Sequence, residues 1–138
     1  MNLKKVKLFD IPKILDARGN LSFLENGSAL DFDIKRVYWI YDVPGGEIRG
    51  EHAFIEQQEI IIALSGSFDV VLHDASVETK YTLNRSYNGL YVPNMYWRRM
   101  ENFSTNAVCL VLASTSYLDN DYIWDFESFK KIALTEKK

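Results

Sequence analysis

Apolar residues along this chain come in short stretches, each cut off by a turn signal before a helical repeat can develop. KRVYWIYDV (Lys35–Val43) is rich in aromatic and β-branched residues and stops at Pro44-Gly45-Gly46. VETKYTL (Val77–Leu83) alternates with a period of two. RGN (Arg18–Asn20) and NGS (Asn26–Ser28) flank LSFLE, and IRGEHAF, GLYVP, YWRRM and AVCLVLAST supply further segments of the same kind. The apolar run Ile60–Leu64 ends at Ser65-Gly66-Ser67, which reads as a hairpin turn into FDVVLHD. About ten strands at this spacing, with no βαβ rhythm, predict an all-β sandwich or barrel. Only the end looks helical. DFESFKKIALTEKK (Asp125–Lys138) sets Phe126, Phe129, Ile132 and Leu134 near helical spacing, with Asp125 as a cap.

The order of segments sharpens the architecture. A strand carrying His52, a bend, a buried strand, a glycine turn and another strand form the front half of a small jelly roll. Barrels of this size commonly hold one ligand where the strands open. No internal repeat, low-complexity segment or linker interrupts the chain, so its 138 residues are expected to form a single domain (1–138). A chain of this length buries roughly two-thirds of its unfolded surface, enough for one core.

Composition narrows the partners. Net charge is −3, which leaves no excess of cations for generic nucleic-acid binding and makes individual arginines the features to follow. Aromatic residues make up 14% of the chain and offer faces for stacking on a ligand. The single cysteine, Cys109, sits in an apolar run and reads as a buried small hydrophobe, so no disulfide can form within the chain. MNLKKVKLFD lacks an apolar segment long enough for a signal peptide, and no stretch approaches the roughly 20 apolar residues of a membrane helix. A soluble, cytoplasmic protein with no membrane partner is the expectation.

The candidate chemistry gathers around IRGEHAFIEQQE (Ile48–Glu59). His52 admits three readings. As a metal ligand it lacks company. A cupin-type metal site resembles His-x-His, a Glu further on and a His from a later strand. Here Glu59 fits the third place, but Phe54 fills the second, and Trp97 and Arg98 stand near the last. Two protein ligands rarely hold a transition metal, so no metal is expected. As a core histidine, His52 would only fill space. As an acid or base, a neutral imidazole would shuttle protons in a half-buried pocket. Strand alternation puts Gly50, His52 and Phe54 on one face and Arg49 on the other, unless Gly50 breaks the alternation. It likewise puts Tyr38 with Ile40 and Trp39 with Tyr41, and only one pair can face inward. His73, in LHDAS, reads as an exposed turn residue.

DARGNLSFLE (Asp16–Glu25), KRVYWIYDVPGGEIRGEHA (Lys35–Ala53), ALSGSFDVVL (Ala63–Leu72), GLYVPNMYWRRMENFS (Gly89–Ser104) and VLASTSYLDNDYIWDFESF (Val111–Phe129) together resemble the sugar 3,4-ketoisomerase family of cupins. The resemblance covers nearly the whole chain in the same order. It implies a cupin jelly-roll barrel with a short C-terminal helix, and a homodimer with strand exchange. It implies a dTDP-linked 4-keto-6-deoxyhexose substrate and no cofactor. It implies isomerisation that moves the keto group of dTDP-4-keto-6-deoxyglucose from C4 to C3 and supplies 3-amino sugars of surface polysaccharides.

By the same resemblance, His52 is the acid/base, Tyr38 its hydroxyl partner, and Arg49 a contact for an anionic intermediate or the diphosphate. Arg18 and Arg36 are candidates for the diphosphate or thymine, because arginine offers forked donors to phosphate oxygens. Three positions depart from the family pattern. Phe54 replaces a second histidine. Glu59 stands where relatives often carry Gln; it is either a substitute base or a wall residue holding His52 or an arginine. Trp124 replaces an arginine, removing a nucleotide contact or supplying a stacking surface. Phe54, Trp97 and Trp124 are counted with the substrate-binding candidates. These departures keep open a nucleotide-sugar-binding cupin that is inert as an isomerase or acts as an epimerase.

Overall fold

The structure, a computed structural model, describes residues 5–27 and 30–136. Two five-stranded antiparallel sheets face one another. The first has the order β1-β9-β6-β11-β4, built from β1 (Lys7–Asp10), β4 (Arg36–Ile40), β6 (Glu59–Ser65), β9 (Asn88–Val92) and β11 (Val108–Ala113). The second has the order β12-β5-β10-β7-β8, built from β5 (Arg49–Phe54), β7 (Phe68–His73), β8 (Glu78–Leu83), β10 (Trp97–Glu101) and β12 (Tyr122–Ile123). A small ribbon of β2 (Lys13–Ile14) and β3 (Leu21–Ser22) lies apart. This is the jelly-roll barrel of the cupins.

The core follows from period-two alternation. From the first sheet, Ile61 and Ala63 of β6, Leu90 and Val92 of β9, and Cys109 and Val111 of β11 point inward. Val70, Leu72 and Met100 meet them from the second sheet. Burial pushes the Cys109 thiol up to about 12, so it remains an unreactive hydrophobe. Ile60 and Ile62 point outward, yet both are buried. Ile11, Leu24, Leu30, Phe32 and Ile34 of the preceding segments cover them, together with Tyr91 and Leu112. A strand covered on both faces needs apolar residues at every position, which accounts for the unbroken run Ile60–Ala63.

Ser65-Gly66-Ser67 makes a sharp turn, but not the expected hairpin. β6 and β7 belong to different sheets, so the turn carries the chain across the barrel. Gly66 has φ +66°, and a side chain there would collide with Ser104 Oγ and the Ala107 backbone. Ser104 Oγ accepts the Ser67 N–H at 2.8 Å and ties the corner to the opposite loop. Hairpins and inter-sheet corners ask for the same glycine chemistry, so local sequence cannot separate them.

The C-terminal helix α1 (Phe126–Glu136) begins where predicted. The Asp125 carboxylate accepts the Ser128 N–H at 2.9 Å and caps it. Phe129 and Ala133 are its buried residues, in a cluster with Ala53, Trp97 and Ile123, while Ile132 and Leu134 of the predicted face lie at the surface. The predicted helix ended at Lys138, and its last two residues lie outside the described ones, as does Ser28 of the NGS turn. No helix of the described residues is long and apolar enough to cross a membrane.

Candidate active site

A cavity of about 430 Å3 opens among β4, β5 and β10. Arg36, Tyr38, Arg49, His52, Arg98 and Tyr122 supply its polar lining. A larger one, about 770 Å3, lies on the outer side of the first sheet against the β2–β3 ribbon. Its wall is mainly aliphatic, including Ile11, Leu15, Leu24, Ile62, Leu64 and Leu110, and it holds no histidine or carboxylate. The acid and base side chains therefore line the smaller cavity.

A β-bulge delivers two of its residues. Arg49 pairs with Met100 and His52 with Arg98, so three steps on β5 oppose two on β10. Gly50 takes up the extra residue at φ +73°, where a Cβ would stand 2.6 Å from Arg98 Nη1 and 3.1 Å from the Met100 sulfur. Only glycine fits that conformation and that space. The break in alternation brings Arg49 to the same cavity as His52. Tyr38 and Ile40 of β4 pack inward, while Trp39 and the following Tyr41 remain more than half exposed.

His52 is 6% exposed and sits among aromatic edges. Ring centroids lie 4.8 Å from Phe54, 4.9 Å from Tyr122 and 5.3 Å from Trp124. Its Nδ1 is buried and makes no hydrogen bond. Burial first, then the charges of Arg98 and Arg36, lower its pKa to about 3. The imidazole is thus neutral at physiological pH and able to accept a proton.

Beside it lies a buried polar cluster. Arg98 and Glu59 form an ion pair at 2.7 Å (Nε to Oε1), with side chains 3% and 1% exposed. That contact is charge against charge and not an aligned hydrogen bond, since neither atom meets hydrogen-bond geometry. The Tyr38 hydroxyl donates to Glu59 Oε2 at 2.5 Å and accepts from Arg98 Nη2 at 2.9 Å. Burial above all raises the Tyr38 pKa well above its ordinary value. The charge of Glu59 and its hydrogen bond add to the rise, and Arg98 opposes it. Tyr38 therefore keeps its proton and is an O–H donor. Glu59 faces Tyr38 and Arg98 rather than His52.

The other predicted residues divide between the cavity and elsewhere. Arg36 lines the wall, with its guanidinium carbon 5.2 Å from the Tyr38 ring and 5.4 Å from the Tyr117 ring. Phe54, 4% exposed, packs its ring edge on His52 and lies under the Arg98 guanidinium at 5.5 Å. Trp124 is 64% exposed and stacks on Tyr122 with centroids 4.8 Å apart. Glu59, Phe54 and Trp124 lie beside the cavity without lining it, and Arg18 and Trp97 lie away from it. Arg18 has a side chain 90% exposed and pairs with Asp16 at 2.9 Å. Trp97 is buried under α1, its ring 5.4 Å from Phe126 and 6.0 Å from Phe129.

Sequence reasoning left out Tyr117, Tyr122 and Gln57, and it cited Arg98 only as standing near a missing ligand. Alternation in YWRRM could have signalled Arg98, which shares a face with Met100 and opposes Trp97. Among the described residues, no three His, Cys, Asp or Glu side chains come together as a metal site.

Comparison with known proteins converges on one group. The family model described as "FdtA: WxcM-like, C-terminal" matches residues 4–134. A TDP-4-oxo-6-deoxy-α-D-glucose-3,4-oxoisomerase of Aneurinibacillus thermoaerophilus is 40% identical over 125 residues, covering 91% of this chain and 90% of that protein. A 3,4-ketoisomerase from Helicobacter canadensis superposes with a TM-score of 0.90 at 39% identity, over 94% of this chain and 97% of its own. A variant of the Thermoanaerobacterium thermosaccharolyticum 3,4-ketoisomerase, crystallised with TDP-4-keto-6-deoxyglucose, gives 0.92 at 34% identity over 97% of each chain.

Proposed function

Because the chain belongs to the WxcM-like FdtA family, we propose that it is a dTDP-sugar 3,4-ketoisomerase acting on dTDP-4-keto-6-deoxyglucose, with His52 as the proton-transferring group. The observation that carries this reading is a neutral imidazole and a protonated phenol on the wall of one arginine-lined cavity.

The reaction moves two protons and leaves the oxidation balance of the sugar unchanged. The C3 hydrogen is acidified by the C4 carbonyl and passes as a proton to His52 while O4 takes up negative charge. Arg98 and Arg36 line the cavity and offer N–H donors to that charge. Protonation of O4 gives an enediol. Loss of the O3 proton and return of a proton from His52 to C4 complete the 3-ketone. One proton has gone from C3 to C4 and one from O3 to O4, so no redox partner is consumed. Tyr38 serves the oxygen-to-oxygen transfer by turning its hydroxyl hydrogen from Glu59 to O4 and taking the O3 proton in exchange, with Arg98 holding its oxygen. Glu59 is 1% exposed and orients Tyr38 without touching the sugar.

A neutral base resting at a pKa near 3 is weak; burial, the largest cause, persists in the complex, but the two smaller causes are relieved. Anionic diphosphate and the developing enolate offset the charges of Arg36 and Arg98, two of the three causes of the depression. Arg49, which lines the same cavity, is the cation for the diphosphate in this reading. Trp124 and Tyr122 together form a stacking platform at the mouth for the nucleotide base.

The protein acts as a single cupin-type domain. A homodimer accords with the mainly aliphatic outer face of the first sheet, and a nucleotide-activated substrate accords with work in the cytoplasm. The test is incubation with dTDP-4-keto-6-deoxyglucose followed by carbon NMR. A new C3 ketone supports the reading. Unchanged substrate under conditions where dTDP binds favours the inert binding protein, and inversion without ketone migration favours the epimerase.

A further inference from the structure

Gln57 is 2% exposed, and its backbone is pinned on the connection between β5 and β6. The Asp121 carboxylate accepts the Glu56 N–H at 2.7 Å and the Gln57 N–H at 3.1 Å. The side-chain amide then divides its two ends between opposite charges. Its Oε1 accepts from Arg36 Nη2 at 3.0 Å and from Thr115 Oγ1 at 2.7 Å. Its Nε2 donates to Glu59 Oε2 at 3.0 Å, the same oxygen that receives the Tyr38 hydroxyl.

A guanidinium can only donate and a paired carboxylate can only accept, so the amide has one orientation. A flip would set donor against donor at Arg36 and acceptor against acceptor at Glu59. A neutral amide also spares the cluster a second buried charge.

We propose that Gln57 is a positioning residue which locks the cavity-wall arginine Arg36 to the Tyr38–Glu59–Arg98 cluster, so that the group meeting the nucleotide-sugar and the hydroxyl donor move as one unit. The proposal rests on the ketoisomerase reading for its catalytic half and on Arg36 meeting the nucleotide for its binding half.

Two variants separate the ends of the amide. Gln57→Glu keeps an acceptor for Arg36 and Thr115 but sets a carboxylate against Glu59. It is expected to bind dTDP within about twofold of the parent while kcat falls about tenfold or more, the scale of a misplaced catalytic group. Gln57→Met removes both ends and is expected to lose about fivefold in dTDP affinity as well as kcat. Combining Gln57→Met with Arg36→Gln should then cost little beyond either change alone, because both break the same link. Calorimetric dTDP titration reads this coupling whether or not the enzyme turns over, so a failure of the ketoisomerase reading leaves the binding half decided. Melting temperatures confirm that each variant is folded; if Gln57→Met is not, Gln57→Leu takes its place. Additive losses in the double variant, no loss of dTDP affinity in Arg36→Gln, or equal kcat for Gln57→Glu and the parent would each overturn the proposal.

Discussion

The two cavities of this barrel differ in what their walls can do. The larger, about 770 Å3, is walled mainly by aliphatic side chains against the β2–β3 ribbon. The smaller, about 430 Å3, has a buried imidazole, a phenol and three arginines around it. Volume alone would select the cavity that has no histidine or carboxylate in its wall. An apolar hollow stabilises whatever covers it through area removed from water, whereas buried charges are costly unless they are paired or meet a ligand. The cluster beside the smaller cavity is paired inward through Glu59, and its remaining polar atoms, such as His52 Nδ1 and Arg36 Nε, stay without partners.

The contrast can be broken from either side. The largest expected effect is on turnover: His52→Asn should lower kcat by about 10²- to 10⁴-fold, the usual contribution of a positioned acid or base. Binding of dTDP should stay within about twofold, read by calorimetry. Next comes the ion pair. Arg98→Met leaves Glu59 buried without its cation and should destabilise the fold by about 3–5 kcal/mol in urea titration. Tyr38→Phe keeps the ring and removes the donor. Its kcat should fall about 10- to 100-fold with the melting temperature within a few degrees, since one hydrogen bond contributes about 1 kcal/mol net.

The pH dependence is smaller but distinctive. With a folded pKa near 3 and an unfolded value near 6.5, His52 binds its proton more readily in the unfolded chain between those limits. Stability should therefore be complete above about pH 6.5 and decline as pH falls toward 3, by on the order of 5 kcal/mol at most. His52→Asn should remove that part of the decline. The smallest effect belongs to the larger cavity: Leu15→Ser, at a residue 72% exposed on its rim, should change kcat less than twofold. A tenfold loss there would erase the distinction between the two cavities.

The strands were legible because alternation and turn residues report burial directly. Tyr38, His52 and Arg49 were legible as types in a pattern, and the glycine that reconciles them was visible at Gly50. The corner at Gly66 was not, because its chemistry is the same whether the chain folds back or crosses the barrel. Arg18 sits beside a turn glycine, which places it near the substrate only if the loop folds inward; its bond to Asp16 holds it at the surface. Trp97 lies one residue from Arg98, and a single step along a strand moved it to the opposite face, under α1. Gln57 stayed invisible for a different reason. Its importance comes from four partners, three of them distant in sequence: Arg36, Thr115 and Asp121. No local pattern encodes such a meeting.

The most direct test of the central claim follows hydrogen at two carbons. dTDP-4-keto-6-deoxyglucose is incubated in heavy water with the protein and, separately, with His52→Asn, and proton NMR records the C3 and C4 signals. The account predicts deuterium entering at these carbons alongside the 3-ketone for the protein, and neither change for the variant although it still binds dTDP. Isomerisation by His52→Asn at the parent rate would contradict it, and the imidazole would then be a packing residue in a site that works by other means.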